Sequence, residues 1–173
     1  MTQHPDIRQS RPQDRAAIET LYPAAFPEEN LLPLVGELLA ADVLSLVAMS
    51  GSALSGHAMF SRCGLEGQTV NLALLGPLAV APDRQRQGIG GALVRAGLQQ
   101  LQASGAALVL VLGDPVYYSR FGFAREDGVA APYPLPKEWH GAWQSLRLKD
   151  GDAPLKGVLT VPPPWRNPAL WGP

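Results

Sequence analysis

The chain has little of what disulfides, metal centres and membrane anchors require. Its 173 residues include one cysteine, Cys63, and three histidines. One cysteine excludes an internal disulfide, and with scattered histidines it cannot assemble a four-ligand zinc site, so we predict no metal. No apolar run reaches the roughly 18 residues of a membrane-spanning helix. The first residues also lack a basic region followed by an apolar segment, so we expect an unexported, cytoplasmic protein.

Charge is scarce as well. The formal net charge is -1 and only 17% of the residues are charged, which gives no electrostatic footprint for nucleic acid or for an anionic membrane. We therefore expect neither partner. Apolar residues make up 46% of the chain, enough for one well-buried core, so we predict a single domain over residues 1–173 that is a monomer or a homodimer.

Apolar residues alternate between helical spacing and continuous runs along the chain. This pattern predicts an α/β (α+β) fold in which helices flank a mixed central sheet, with strand 106–112 buried on both faces and parallel to strand 70–80. A capping box at Ser10–Gln13 would start the first helix, and Gly105 would end the third. The predicted strands are 7–9, 43–49, 56–63, 70–80, 106–112, 143–148 and 156–161, with another starting at Phe123. The first predicted helix follows the cap at Ser10, with Pro12 early in it, and runs to about Ala25, and the other predicted helices are 28–41, 88–104 and 116–121.

A basic, glycine-rich turn joins strand 70–80 to the next helix. The N–H groups at a helix N-terminus have no intrahelical partners, and glycines let an anion approach the backbone closely. Arg84, Gln85 and Arg86 add side-chain donors, so the turn predicts a phosphate cradle. It is not a Walker loop, because no Lys followed by Ser or Thr comes after its last glycine, and its glycine spacing does not fit the dinucleotide fingerprint.

Gly76-Pro77 is unusual inside an apolar strand, because proline cannot donate to a ladder and glycine weakens one. The pair predicts a bulge, which would bend the strand and leave backbone groups unpaired. If strands 70–80 and 106–112 splay there, an extended ligand with amide groups could pair with the freed edge. Sheet curvature alone is the alternative reason for a bulge.

Two segments resemble a known family. Gln85-x-x-Gly88-x-Gly90 closely resembles the pyrophosphate-binding loop of the GNAT superfamily of acyl-CoA-dependent N-acetyltransferases, and Tyr117-Tyr118-x-x-x-Gly122-Phe123 resembles its second conserved segment. The resemblance covers about residues 5–128, whereas 129–173, with closing strands and a proline-rich tail, match less specifically. It implies acetyl-CoA as the cofactor, bound by Leu78, Ala79, Val80, Gln85, Arg86, Gln87, Gly88, Ile89, Gly90, Gly91, Tyr117 and Arg120.

The same resemblance implies that an acceptor amine attacks the acetyl thioester directly. A backbone N–H near Leu78 or Ala79 would polarise the thioester carbonyl. Tyr118 would deliver its proton to the departing thiolate, because a phenol holds its proton at neutral pH. The alternative for all the aromatic residues of this segment is a place in an aromatic core at helical spacing. We favour the core for Tyr117, Phe121 and Phe123, and the functional role for Tyr118, because the resemblance falls on that residue.

The general base is less clearly marked. Several relatives carry a glutamate where this chain has Leu74, so we consider Glu28 with its neighbour Glu29, and His57, whose ordinary pKa suits the task. Paired glutamates at a helix start often stabilise only the helix dipole. A single histidine on a strand is often merely hydrogen-bonded, so these alternatives stay open.

The sequence thus predicts an acetyl-CoA-dependent N-acetyltransferase. An acyl-CoA-binding sensor without catalysis is the alternative, since the strand carboxylate is missing, and a nucleotide-phosphate binder ranks last because neither nucleotide motif is present. The acceptor would be a small-molecule amine or a protein or peptide amine. The two glutamates favour a cationic one.

Overall fold

The computed structural model describes residues 5–149 and 154–173, which divide into two compact units. The first unit comprises the described part of Met1–Phe60 together with Gly76–Gln99. The second comprises Ser61–Leu75 and the described part of Gln100–Pro173. His4 and the other residues before residue 5, where a leader would begin, lie outside the described residues. That the two units act as one domain stays a prediction.

The described residues form a mixed sheet with flanking helices, which confirms the predicted fold class. In this part of the chain no helix is both long enough and apolar enough to cross a bilayer. The strands are β1 Asp6–Gln9, β2 Val43–Ser50, β3 Ala53–Leu65, β4 Gln68–Val80, β5 Leu108–Leu112, β6 Ala124–Arg125, β7 Val129–Ala130, β8 Trp143–Arg147 and β9 Gly157–Thr160, and the α-helices are α1 Arg15–Ala25, α2 Leu32–Leu39, α3 Ile89–Ala103 and α4 Pro115–Tyr118.

In the first unit the strand order is β1-β2-β3-β4, and β1 runs antiparallel to β2 with Asp6 opposite Met49. Each helix buries one apolar stripe, as its spacing predicted. In α3 the approach to the sheet is so close that a Cβ atom on Gly97 would overlap the ring of Phe60 in β3. Only glycine fits that position without a shift of the ring. The buried stripe residues are Ile18, Leu21 and Tyr22 in α1 and Leu34, Val35 and Leu38 in α2.

In the second unit β4 pairs in parallel with β5, from Leu72 opposite Leu108 to Leu75 opposite Val111. β8 lies antiparallel on the other side of β5, and β6 pairs with β8. Four of the five β5 residues are buried. Both the parallel pairing and the burial of this strand are therefore confirmed. The small strands β7 and β9 pair in parallel, and β9 also pairs with the end of β3.

The proline-rich tail belongs to the core of the second unit. Trp165 donates its indole N–H to Ser61 Oγ at 2.9 Å, and Trp171 donates to the carbonyl of Trp165 at 3.0 Å. The Trp171 ring is 2% exposed and meets Trp143 edge to face at a centroid distance of 5.7 Å. Two tryptophans thus anchor the tail.

The capping box expected at Ser10–Gln13 is wrong by one position. The Asp14 carboxylate accepts a hydrogen bond from the Arg11 backbone N–H at 2.7 Å and two from the Arg8 guanidinium at 2.8 and 3.0 Å. Ser10 instead donates to Ser45 Oγ. An acidic side chain three residues into the turn, already paired with Arg8, is the better partner for an unsatisfied backbone donor.

The second helix is shorter than predicted, because it begins at Leu32 rather than at residue 28. Pro33 stands in its first turn, the position where a missing N–H costs nothing. Glu28 and Glu29 therefore lie in the connection between α1 and α2, before the helix begins.

Candidate functional site

The glycine-rich loop lies in the first unit, between β4 and α3. Residues 82–88 are all exposed, and α3 begins directly after them at Ile89. Arg86 and Gly88 both adopt positive φ, 64° and 83°, and a Cβ atom on Gly88 would meet nothing within 4 Å. The N–H groups of Ile89, Gly90 and Gly91 belong to the first turn of α3, where a helix provides no acceptor. This arrangement can hold an anion.

Two glutamine side chains brace this loop from within. Gln85 Nε2 donates to the carbonyl of Val80 at 3.2 Å, and Gln87 Nε2 donates to the carbonyl of Asp83 at 3.4 Å. Gln85 therefore ties the loop to the end of β4, and Gln87 stabilises the backbone of the loop itself. The two arginines, Arg84 and Arg86, are exposed beside it.

The end of β4 presents backbone donors in two directions. Ala81 donates its N–H to the Ser55 carbonyl of β3 at 2.9 Å, and the Ala79 carbonyl lies 3.2 Å from the Cβ position of Gly56. Successive residues of a strand point their N–H groups to opposite edges. The N–H groups of Leu78 and Val80 therefore point away from β3. Upstream, Gly76 has φ 151° and the Gly76–Pro77 peptide is cis, while the predicted bulge and splay stay predictions.

Tyr118 ends α4 in the second unit. Asp114 caps this helix, since its Oδ1 accepts from the Val116 N–H at 2.9 Å. The Tyr118 ring packs edge to face on Tyr117 and Phe123 and leaves no room for a side chain on Gly113, whose Cβ would lie 2.5 Å from it. Burial raises the pKa of the phenol above its ordinary value. Tyr118 is therefore held in one place as a proton-bearing group.

Tyr117 and Arg120 form a pair on the same segment. The Arg120 guanidinium lies 4.5 Å from the centre of the Tyr117 ring, and its Nε donates to the Tyr117 carbonyl at 3.3 Å. Arg120 is exposed, so its charge remains accessible on the surface of the second unit.

Glu28 and Glu29 lie at an exposed hollow of about 320 Å³ in the first unit. Its lining also includes Pro23, Phe26 and Asn30. Both glutamates precede α2 instead of lying in its first turn, where interaction with the helix dipole is strongest. Their carboxylates are free to meet solvent or a cationic ligand.

His57 is fully buried in the first unit, and both of its ring nitrogens have partners. Nδ1 lies 2.7 Å from Tyr22 Oη and Nε2 lies 2.8 Å from Ser45 Oγ. Burial lowers the pKa of the imidazole to about 4. This environment favours the alternative of a hydrogen-bonded core histidine. The sequence did not identify Tyr22 as its partner, because the two residues are far apart in the chain.

The buried imidazole makes stability depend on pH. The pKa of histidine is 6.5 when unperturbed and about 4 for His57 in the folded protein. Between pH 6.5 and pH 4, therefore, His57 binds a proton in the unfolded chain but not in the folded protein. The free energy of unfolding should fall as pH drops from 6.5 to 4, by at most about 1.4 kcal/mol per pH unit from this residue. Urea unfolding over this range measures the slope, which should flatten in His57→Gln.

His140→Gln, which replaces an exposed histidine of the second unit, is the control, because the expected effect comes from burial of the His57 imidazole. Asp14 does not account for the pH dependence of stability in this range. The hydrogen bond from Arg8 lowers the pKa of the Asp14 carboxyl below 3.8, so the stability that this carboxylate provides is lost at a lower pH than the stability linked to His57. An equal slope in wild type and His57→Gln would contradict the assignment.

A cleft of about 500 Å³ lies in the second unit, lined mostly by the connection from β6 to β8. Tyr133, Leu135, Trp143 and Val158 contribute to its wall, and we call it the aromatic cleft. It was not predicted from the sequence. Proline and aromatic residues at 132–135 are the available signal, but on their own they indicate only an irregular segment.

Within residues 5–149 and 154–173, no three His, Cys, Asp or Glu side chains are grouped so that they could hold a metal ion. Cys63 is buried, and burial raises the pKa of its thiol to about 12. A thiol with so little thiolate is a poor nucleophile.

Comparisons with known proteins agree with this geometry. Residues 42–125 match the family model described as Acetyltransferase (GNAT) domain. The uncharacterized N-acetyltransferase YjhQ of Escherichia coli (strain K12) is 34% identical over 166 residues, which cover 91% of this chain and 92% of that protein.

Two solved structures are also similar. That of the GNAT family N-acetyltransferase YhbS from Escherichia coli, in complex with CoA, has a TM-score of 0.83 and 28% identity, and the match covers 94% of this chain and 92% of that one. A GNAT family acetyltransferase from Brucella melitensis, in complex with acetyl-CoA, has a TM-score of 0.76 and 36% identity over 94% and 98% of the two chains. This chain therefore belongs to the GNAT family of N-acetyltransferases.

Proposed function

We propose that the protein transfers an acetyl group from acetyl-CoA to an amine by direct attack in a ternary complex. The observation that carries the proposal is the loop at Gln85–Gly91, where two residues with positive φ precede a helix N-terminus and leave open space at Gly88. The similar Brucella melitensis protein was solved in complex with acetyl-CoA. The cytoplasmic location stays a prediction.

The residues of the loop fit the diphosphate of acetyl-CoA. The first-turn N–H groups of α3 would donate to its oxygens, and Arg84 and Arg86 would balance its negative charge. Gln85 and Gln87 would keep the loop in shape through their backbone contacts. On the second unit, we assign Tyr117 and Arg120 to the same cofactor. When bound, the cofactor supplies the acetyl thioester that the amine attacks.

Three groups of this chain would then act during transfer. The Leu78 N–H, which points away from β3, is the best-placed strand donor for the oxyanion that develops as nitrogen bonds to the acetyl carbon. When the carbon–sulfur bond breaks, Tyr118 gives its proton to the thiolate. The proton lost from the amine goes to water or to a base, and we favour the exposed Glu28 over His57, whose nitrogens are both engaged.

Replacing Tyr118 with phenylalanine should lower kcat by about 100-fold, within the range that positioned proton donors contribute. The aromatic contacts with Tyr117 and Phe123 would survive, so the dissociation constant for acetyl-CoA should stay within about twofold. Thiol release followed with a chromogenic disulfide measures the rate, and calorimetry measures binding. An unchanged rate would remove the acid role of Tyr118.

Glu28→Gln and Glu29→Gln form a matched pair in the same exposed connection. If Glu28 acts as the base or binds the ammonium group, only the first variant should lose kcat/KM for the amine. Acetyl-CoA binding without thiol release, across primary amines that include short peptides, would contradict the transferase proposal and leave a binding protein.

A further inference from the structure

The aromatic cleft lies in the second unit and is built mostly from the chain between β6 and β8, with Val158 of β9. After β6 the chain makes a turn at Asp127 and Gly128, forms β7, and runs through prolines to Tyr133 and Leu135. Trp143, at the start of β8, adds buried aromatic surface to the lining. Its volume of about 500 Å³ lies within the range of small-molecule sites.

The polar atoms of this wall are largely engaged within the wall itself. Glu126 Oε2 accepts from the N–H groups of Gly128 and Val129 at 2.6 and 2.7 Å, and its Oε1 accepts from Ser145 at 2.6 Å. The indole N–H of Trp143 donates to the Val129 carbonyl at 2.8 Å. A polar ligand would lose its hydration here and receive few hydrogen bonds in return.

Apolar groups, by contrast, are left available. Val158 is 40% exposed, one of two large apolar side chains exposed to this degree among the described residues, and it lines this cleft. Tyr133 and Leu135 are partly exposed beside it. Apolar surface that remains wet gains most when a ligand covers it, and aromatic walls favour a planar ligand.

The residues that flank Trp143 in the chain contact the segment that carries Tyr118. Gly113 donates its N–H to the Ala142 carbonyl at 3.0 Å and accepts from Gln144 Nε2 at 3.1 Å, so it lies against the residues on either side of Trp143. The Tyr118 ring covers Gly113. One glycine therefore contacts both the proposed proton donor and the strand that forms the cleft wall.

We infer that the aromatic cleft holds the body of the acceptor and selects an amine with an apolar, preferably aromatic, substituent. This inference rests on the proposed transferase function. Both carboxylates of this wall already have partners, since Asp127 pairs with Arg125 at 3.0 Å and Glu126 accepts three hydrogen bonds, so a polyamine or an amino sugar would have to displace an existing contact. The cleft therefore discriminates between amines through the free-energy cost of leaving the polar groups of a polyamine or an amino sugar unpaired.

The test compares 2-phenylethylamine with 1,4-diaminobutane and glucosamine as acceptors. Thiol release should give a kcat/KM at least about tenfold higher for the aromatic amine, equivalent to about 1.4 kcal/mol. Tyr133→Ala should raise KM for this amine about tenfold and leave KM for acetyl-CoA unchanged, whereas Tyr133→Phe should retain wild-type values. Trp139→Ala, in the same connection but outside the cleft wall, is the matched control.

Binding is measured separately from turnover. Tryptophan fluorescence should report saturable binding of 2-phenylethylamine to the CoA-loaded protein, and Tyr133→Ala should weaken it. Preferred acetylation of the diamine or the amino sugar would overturn the inference while leaving the transferase function intact. Absence of saturable binding would overturn it as well, and absence of thiol release with every amine would count against the transferase function itself.

Discussion

Gly97→Ala should destabilise the protein by about 3 kcal/mol. Helix propensity alone would favour alanine by about 1 kcal/mol, but the added Cβ would overlap the ring of Phe60, which is 1% exposed and cannot swing into solvent. Overpacking at a rigid contact outweighs propensity. Urea unfolding followed by circular dichroism measures the loss.

Gly36→Ala is the matched control, because it also adds a methyl group to a helix. The nearest atom there is the end of the flexible Arg15 side chain, at 3.3 Å. This variant should be as stable as wild type or slightly more stable. In the Gly97→Ala background, Phe60→Leu should cost much less than it does alone, because the smaller side chain relieves the overlap. Additive effects of the two substitutions would contradict the assigned contact.

Gly88→Glu should weaken acetyl-CoA binding by about 100-fold. The substitution places a carboxylate where we propose that the diphosphate lies, and two like charges about 4 Å apart repel by several kcal/mol at the effective dielectric of a protein surface. Calorimetric titration with acetyl-CoA measures the change. Retention of wild-type affinity would exclude the loop as the cofactor cradle.

Gly51→Glu separates this effect from backbone strain. Gly51 lies in the turn between β2 and β3, has φ 65°, and, like Gly88 with φ 83°, has open space where a Cβ would be added. Both variants therefore carry the same charge change and a similar conformational cost. Only Gly88→Glu should lose affinity, while both should lose a similar amount of stability.

The sequence was most informative where the signal is local. The glycine-rich loop, the buried strand β5 and the cap at Gly105, with φ 90°, were predicted because each depends on residues adjacent in the chain. The Asp14 cap was missed because its carboxylate is already oriented by Arg8, a strand residue that a capping pattern does not include.

The environment of His57 and the aromatic cleft could not be derived in this way. Tyr22 contacts His57 from helix α1, and Ser45 contacts it from the neighbouring strand β2. The cleft combines Val158 of β9 with a connection that precedes it by many residues. Periodicity identifies the buried face of each element but does not specify which side chains of two elements meet. The sequence gives the residue types at the His57 site and in the cleft, but not which residues contact one another there.

The two units are interleaved along the chain, which affects the order in which they can form during synthesis. Gln99, the last residue of the first unit, emerges from the ribosome before β5 does. Ser61–Leu75 has by then emerged, and its apolar residues Leu72, Leu74 and Leu75 must wait for Leu108–Val111. During this interval the nascent chain presents an apolar strand whose β5-facing edge is unpaired, and such an edge can recruit another chain and aggregate if left exposed.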